Sequence, residues 1–200
     1  DTLPLSNNRC LVPADGQQKE ESVILCYGTY NVLDRVGDGL MNITNSSVII
    51  ECNGTIITSD DTGIIINTNP KNDRLTNITV KHCSFEDVNI SMQFINTSEI
   101  YIINNSINKW AEGSALLFRD VNNIYLINNS ISNRTKAIVI SDSDGNSNPI
   151  TGLNNKNITI TGNLFLNITN NAMLLAGDNF TVYNNTIVSY TSSSITTPAI

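Results

Sequence analysis

The chain has 200 residues, a net charge of −7 and only 14% charged residues. The length suits one domain with its own core, and the acidic balance argues against nucleic acid as a partner, because phosphate contacts need clustered Lys and Arg. No run approaches the roughly 18 apolar residues that a membrane-spanning helix requires, so no membrane span is expected.

The polar character of the chain comes from 32 Asn and 39 Ser plus Thr rather than from charge. These residues are interleaved with Ile and Val, which favours order over low-complexity disorder. One phrase recurs along the chain, with starts at Val48, Ile78, Ile100, Ile124, Ile158 and Phe180. The clean steps are 22, 24 and 22 residues, and the steps of 30 and 34 carry insertions near residues 68–75 and 141–154. A fixed period of this length is typical of a solenoid.

Each repeat predicts short β-strands. Apolar residues alternate within each phrase, as at Ile100 and Ile102, and a second apolar run such as Ala115–Phe118 lies between phrases. Coils with two or three such strands stack as a parallel β-helix, whereas the alternative, a β-sandwich, predicts hairpin turns and no fixed register. We expect an all-β solenoid over residues 23–190, an N-terminal cap over 1–22 and a C-terminal segment over 191–200 that is available for inter-subunit contact.

The recurrent Asn has a structural explanation. Stacked coils place equivalent residues in one column about 4.8 Å apart. An inward Asn can donate its amide to the carbonyl of the next Asn and tolerates the left-handed backbone of a tight turn. We therefore predict an Asn ladder, interrupted by Cys83, that contains Asn53, Asn105, Asn129, Asn163 and Asn185.

The four cysteines form an even set in an acidic, Asn-rich chain. This favours two disulfides and an oxidising compartment, and therefore a secreted protein that is extracellular or on the cell surface. Cys10 and Cys26 flank the first coil, and Cys52 and Cys83 fall on one corner of successive phrases. Of the three possible connectivities we predict 10–26 and 52–83, because adjacent coils provide the spacing that a disulfide needs.

The stretches VILCYGTYNV (Val23–Val32), VIIECNGTI (Val48–Ile56) and NITVKHCSF (Asn77–Phe85), followed by the INNSI phrases, resemble a known group. They are similar to the right-handed parallel β-helix proteins of the NosD-like type, which are common among archaeal and bacterial secreted proteins. The resemblance implies the fold but not one function, because this fold hosts lyases, hydrolases, adhesins and structural modules. The copper role does not transfer, since copper sites need His, Met or Cys clusters and the chain has one His.

Catalytic chemistry has little support in the sequence. Arg119, Asp120 and Asp142 form the best acidic patch, but no carboxylate pair lies on adjacent strands, as glycoside hydrolysis would require. We therefore expect no enzyme and no catalytic residues, with a polysaccharide lyase or hydrolase as the least favoured alternative.

One stretch resembles the start of a calcium-binding loop. SDSDGNSN (Ser141–Asn148) spaces Asp142, Asp144 and Asn146 at alternate positions, but the later Glu ligand is missing. An Asp-Gly turn is the favoured interpretation. No other cofactor is expected, and zinc lacks a set of four convergent ligands.

The motif N-x-S/T occurs 13 times and predicts a glycoprotein if the chain is secreted. Asn53 is expected to be spared because of its place in the ladder. The predicted acceptors are therefore Asn42, Asn45, Asn77, Asn89, Asn96, Asn104, Asn128, Asn133, Asn157, Asn167, Asn179 and Asn184.

Apolar side chains are also expected outside the core. Tyr101, Ile103, Tyr125 and Ile127 should face outward from two stacked coils, where such a patch marks an interface unless a loop or the N-terminal segment covers it. A β-helix also exposes unpaired backbone at its last coil, and solenoids need caps to stay monomeric. We therefore expect a structural subunit that self-associates into an extracellular filament or coat, with a carbohydrate-binding or adhesin module as the alternative.

Overall fold

The computed structural model describes residues 10–33, 39–59, 64–68, 73–141 and 155–188. All regular structure in this part of the chain is β-strand. The strands are β1 Gln17–Lys19, β2 Val23–Ile24, β3 Thr29–Asn31, β4 Met41–Ile43, β5 Ile49–Glu51, β6 Ile56–Thr58, β7 Ile64–Thr68, β8 Leu75–Lys81, β9 Ser84–Glu86, β10 Ile90–Ile103, β11 Ser106–Ile127, β12 Ser130–Ser141, β13 Lys156–Thr161, β14 Leu164–Leu175, β15 Asp178–Tyr183 and β16 Thr186–Val188.

The strands wind into a parallel β-solenoid of about six turns, and their pairings define three faces. The first face carries the recurrent phrase and contains β2, β5, β8, the C-terminal parts of β10 and β11, β13 and β15. The second contains β3, β6, β9, the N-terminal parts of β11, β12 and β14, and β16. The third contains β1, β4, β7, the N-terminal part of β10, the middle of β11, and the C-terminal parts of β12 and β14.

The register of the first face is the one that the repeat predicts. The phrase starts stack in one column through the pairs 78–100, 100–124, 124–158 and 158–180. Every strand pairing among the described residues is parallel, which excludes the alternative β-sandwich for this part of the chain. The predicted all-β solenoid is therefore confirmed.

Inward side chains from all three faces form one continuous core. On the first face Ile100, Ile102 and Ile124 are fully buried, and on the third face the rings of Phe94 and Phe118 stack with centroids 5.5 Å apart. Full burial of one such side chain contributes roughly 1.5–3 kcal/mol. Repetition of like residues in every coil therefore both stabilises the stack and fixes its register.

The paired asparagines of the INNS phrases divide two tasks at the corner between the first and second faces. The first of each pair, Asn104 or Asn128, has left-handed backbone with φ of 54°, which Asn tolerates better than most residues. The second, Asn105 or Asn129, points inward and is 2% exposed. The sequence assigned both tasks to the second residue, and the structure separates them. In other coils the left-handed position is held by His82, Gly162 and Asn184.

The inward asparagines form the predicted ladder. The Nδ2 of Asn105 donates to Oδ1 of Asn129 over 3.0 Å, Asn129 donates to Asn163 over 3.0 Å, and Asn163 donates to Asn185 over 2.9 Å. Each Oδ1 also accepts the backbone N–H of the ladder residue before it. At Cys83 the side-chain series ends, but its N–H still donates to Asn105 Oδ1 over 3.0 Å.

The prediction that Asn53 belongs to this ladder was wrong. The turn from β5 to β6 spans residues 52–55, whereas the turn from β8 to β9 spans only 82–83, so the β5–β6 turn is two residues longer. Asn53 lies exposed on this turn with φ of 48°. Thr55 takes the inward place instead, and its Oγ1 donates to the backbone oxygen of Cys26 over 2.9 Å.

The N-terminal boundary of the solenoid also differs from the predicted one. Gln17–Lys19 pairs with Met41–Ile43 on the third face, and Leu11 forms a parallel bridge with Leu25. The solenoid therefore begins before residue 23, within the segment that the sequence predicted to be a cap. Residues 191–200 lie outside the described residues.

Candidate functional site

Both predicted disulfides are confirmed. Cys10 bonds to Cys26 and Cys52 bonds to Cys83, each with Cα atoms 4.7 Å apart. The first ties the N-terminal segment to the first coil, and the second joins the turns of two adjacent coils. No cysteine in the described residues is free, which agrees with folding in an oxidising compartment.

A charged cluster lies beside the second disulfide on the outer surface. The Glu51 carboxylate accepts hydrogen bonds from His82 Nδ1 over 3.0 Å and from the Asn53 backbone N–H over 3.0 Å. Lys81 Nζ lies 3.4 Å from the same carboxylate. Burial by itself would raise the pKa of Glu51, but the hydrogen bonds from Asn53, His82 and Lys81 together hold that pKa below its ordinary value. Alignment of the phrases that start at Val48 and Ile78 places Glu51 and Lys81 in one outward column, but it does not bring in His82.

Next to this cluster runs an open groove, here named the corner trough, of about 440 Å³. It follows the corner between the first and second faces across several coils. Its rim carries His82, Asn104 and Asn128, the left-handed residues of successive coils. Its floor carries the outward residues that begin the second-face strands, Ser84, Ser106 and Ser130. Gly54, on the longer β5–β6 turn, lines one end.

His82 is held in position within the rim. Its Nδ1 faces both oxygens of Glu51, at 3.0 and 3.1 Å, and its Nε2 lies 3.3 Å from Nδ2 of Asn104. In the neutral ring the Nδ1–H donates to Glu51, and Nε2 accepts from Nδ2 of Asn104 on the same rim. The sequence predicted Asn104 and Asn128 as glycan acceptors. In the sequence, the residue before each ladder Asn is polar or Gly in every repeat, and this pattern could have indicated the trough.

The outer side of the first face carries the predicted apolar patch. Tyr101, Ile103, Tyr125 and Ile127 are half-buried at outward positions of adjacent strands. The two tyrosine rings are parallel, with centroids 4.8 Å apart and an interplanar angle of 6°. Thr79 and Thr159 occupy the same column on either side of the tyrosines, so the patch is two coils wide.

Apolar side chains are exposed at the last described coil. Val182, Tyr183 and Val188 are 44%, 50% and 40% exposed, although the residue that pairs with Val182 in the preceding coil, Ile160, is fully buried. Within the described part of the chain β15 pairs only with β13, and β16 pairs only with β14. One edge of each strand therefore has no strand partner there.

Of the candidate catalytic and metal-ligating residues, the structure describes Arg119 and Asp120. Asp120 forms a 2.7 Å ion pair with Arg74, which also donates to the Asp120 backbone oxygen, so this carboxylate is already engaged. Arg119 lies beside it, half-buried. The predicted calcium ligands Asp142, Asp144 and Asn146 lie outside the described residues. Among those described, no three His, Cys, Asp or Glu side chains are grouped as metal ligands.

Two cationic side chains are buried without a carboxylate partner among the described residues. Lys19 is 7% exposed, and burial lowers its pKa. Arg134 is fully buried; its guanidinium donates to Asn89 O over 2.6 Å and to Ser91 Oγ over 3.3 Å, while its Nε has no acceptor. Burial lowers the pKa of Arg134 to about 10. The sequence did not indicate either feature.

The predicted glycan acceptors differ in accessibility. Asn157 donates from Nδ2 to Asn123 Oδ1 over 3.0 Å, and Asn179 donates to Asn157 over 2.6 Å, so part of one outer column is hydrogen-bonded along the axis. Asn42, Asn89, Asn96, Asn133 and Asn167 are half-buried. The exposed acceptors are Asn45, Asn77, Asn104, Asn128, Asn157, Asn179 and Asn184, and Asn53 joins them because it lies outside the ladder.

Comparison with known proteins does not identify a family for the chain. No family model matches the chain, and no curated protein or solved structure is significantly similar to it. No helix in the described residues is long and apolar enough to cross a membrane. The chain is thus assigned here as a parallel β-solenoid, in agreement with the resemblance stated above at the level of fold.

Proposed function

We propose that this protein is a structural subunit, secreted to the cell surface or extracellular space, that self-associates by continued β-stacking. It is not an enzyme in this proposal. We also propose that the chain is related to the NosD-like β-helix proteins. The parallel solenoid supports this relationship at the level of fold.

The observation that carries the proposal is the last described coil. Val182 lies in an inward column and is 44% exposed. Since about 25 cal/mol is gained per Å² of apolar surface removed from water, a further coil on this edge is favourable. Unpaired strand edges with exposed apolar residues also promote pairing with another chain. We assign the next coil to a second copy, whose parallel strands match in direction.

Two further features support an extracellular assembly. The patch of Tyr101, Ile103, Tyr125 and Ile127 offers a lateral contact, and adjacent parallel rings present a flat surface. Two disulfides between neighbouring turns would make such an assembly durable. Glycans on exposed Asn side chains away from the corner trough, such as Asn45 and Asn77, would restrict contacts to the surfaces that they leave open.

Electron microscopy and fibre diffraction of the purified protein test this proposal. We expect filaments with a reflection near ~4.8 Å along the axis. Val182→Lys places a charge at the open end, where water still reaches it in the monomer but a stacked copy would bury it, and it should abolish the filaments. Val188→Lys, at an outward position that is 40% exposed, is the matched control and should retain them. Monomers at every concentration would refute the proposal.

A further inference from the structure

The corner trough presents polar groups at intervals along a largely apolar exposed lining, which suits an uncharged ligand that has both polar and apolar faces. Its lining offers Ser hydroxyls, Asn amides and one imidazole, from Gly54, His82, Ser84, Asn104, Ser106, Asn128 and Ser130 among others. His82 is the only titratable side chain in this lining, because Cys83 is in a disulfide. Glu51 and Lys81 neutralise each other outside the lining. Phosphate-bearing ligands would lack cations, and metal ions would lack carboxylates.

The polar groups of the trough repeat along the solenoid axis. Ser84, Ser106 and Ser130 are in register on adjacent strands, so their hydroxyls recur at the strand spacing of about 4.8 Å. The rim residues recur with the same spacing. A linear ligand lying along the axis would therefore meet an equivalent set of donors and acceptors at every coil if its own repeat were close to this length. A pyranose unit in an extended glycan has a similar length.

One end of the trough lies next to an exposed aromatic ring. Near Gly54, the ring of Tyr27 lies 3.7 Å from where a Cβ on that glycine would be, and Tyr27 is 80% exposed. An exposed tyrosine ring next to a polar groove is a platform on which the apolar face of a sugar ring can stack, while its hydroxyl stays hydrated. Gly54 leaves the approach to this ring open.

The rim is also preorganised. Glu51 fixes the ring of His82 through Nδ1, and Asn104 contacts Nε2. The backbone of Asn104 and Asn128 is fixed in the left-handed region by the corner. Because these groups are already ordered, a ligand would lose less free energy in ordering them on binding.

From these observations we propose that the corner trough binds a short, neutral, linear glycan parallel to the solenoid axis, with one terminal sugar on Tyr27. This site is separate from the end and the lateral patch that the proposed assembly uses. If no glycan binds, the proposed function is therefore unaffected. If no filaments form, the proposed binding site is likewise unaffected.

Titration calorimetry and ¹H–¹⁵N spectra with neutral hexasaccharides test the site. The probes are β-1,4-linked hexamers of glucose, mannose and xylose, and the α-1,4-linked hexamer of glucose. We expect saturable binding of at least one of them, with shift changes at His82, Ser84, Asn104 and Ser106. Tyr27→Ala should weaken that binding.

Filling the trough supplies the decisive comparison. Ser106→Tyr adds a ring at an exposed strand position, where Tyr is well tolerated, and should eliminate the binding. Thr159→Tyr, on the first face in the column where Tyr101 and Tyr125 already lie, is the matched control and should bind as the unmodified protein does. Ser130→Tyr replaces the first variant if that one unfolds. Failure of all four hexasaccharides to saturate, or binding that survives both trough variants, would overturn the proposal.

Discussion

Asn129 and Asn163, 34 residues apart in sequence, are joined inside the solenoid by a 3.0 Å hydrogen bond from Nδ2 to Oδ1. Asn129 also donates to the Ile102 backbone oxygen over 2.8 Å and accepts from both the backbone N–H and Nδ2 of Asn105. One buried amide thus satisfies polar groups in three coils.

Removal of one ladder amide should therefore be costly. Asn129→Ala removes the acceptor of the buried Asn105 backbone N–H and the bonds that Asn129 makes to Asn105 Nδ2 and Ile102 O, and a buried group left unsatisfied costs about 1–3 kcal/mol. We expect a loss of about 3 kcal/mol in the free energy of unfolding, measured by urea titration. Ser130→Ala, whose side chain faces outward, is the control and should change stability little. Equal stability of the two variants would contradict the role of the ladder.

The disulfide between Cys52 and Cys83 closes a loop with a sequence separation of 31 residues. In the chain-entropy account, opening such a loop costs about 3–4 kcal/mol. The double variant Cys52→Ala/Cys83→Ala should lose this amount in denaturant titrations. Added reductant opens both disulfides. It should therefore lower the free energy of unfolding of the unmodified protein toward that of a variant that lacks the two bonds. A chain that reductant does not destabilise would show that the bonds add nothing to the stacked core.

Acid should weaken the cluster around Glu51. The folded pKa of Glu51 lies below its unfolded value of 4.5, so its stabilising contribution is present above that value and is lost as the pH falls through the folded pKa. We expect Glu51→Gln to reduce the loss of stability between pH 6 and pH 3, measured by thermal unfolding. Glu86→Gln, at an exposed position on β9, is the control. Identical pH profiles for the Glu51 variant and the unmodified protein would refute the assignment.

Arg134 is a buried cation that uses two hydrogen bonds and leaves Nε without an acceptor. Burial disfavours its charge, and buried charges replaced by apolar residues of similar volume often leave a protein equally or more stable. We expect Arg134→Met to raise the free energy of unfolding by about 1 kcal/mol. Lys136→Met, half-buried on the same strand, should have a smaller effect. A marked loss of stability would mean that the contacts to Asn89 and Ser91 outweigh the desolvation of the guanidinium.

Periodicity in the sequence was sufficient for the fold and for most of its register. The phrase starts that align in sequence are the residues that pair in space, as Ile100 does with Ile124. The same alignment placed the Cys52–Cys83 disulfide and four members of the ladder. It failed at Asn53, because a turn longer by two residues changes which side chain points inward without disturbing the strands on either side.

The candidate site was harder to predict from the sequence than the fold was. Tyr101 and Tyr125 could be predicted as outward neighbours because side chains alternate along a strand. The trough could not be predicted as a groove, because its shape depends on how far each corner projects. His82 reaches Glu51 because Glu51 pairs with Lys81, the residue before His82, on the adjacent strand.

The sequence by itself determined that this chain is a stack of parallel coils, since a fixed period combined with alternation leaves one register that buries the columns of Ile100 and Ile102. Tertiary structure alone decided which polar groups meet between coils. Arg134 reaches Asn89 two coils away, and the side chain of Lys19 is buried in the first coil. Such contacts depend on corner geometry and side-chain length, which the repeat does not encode.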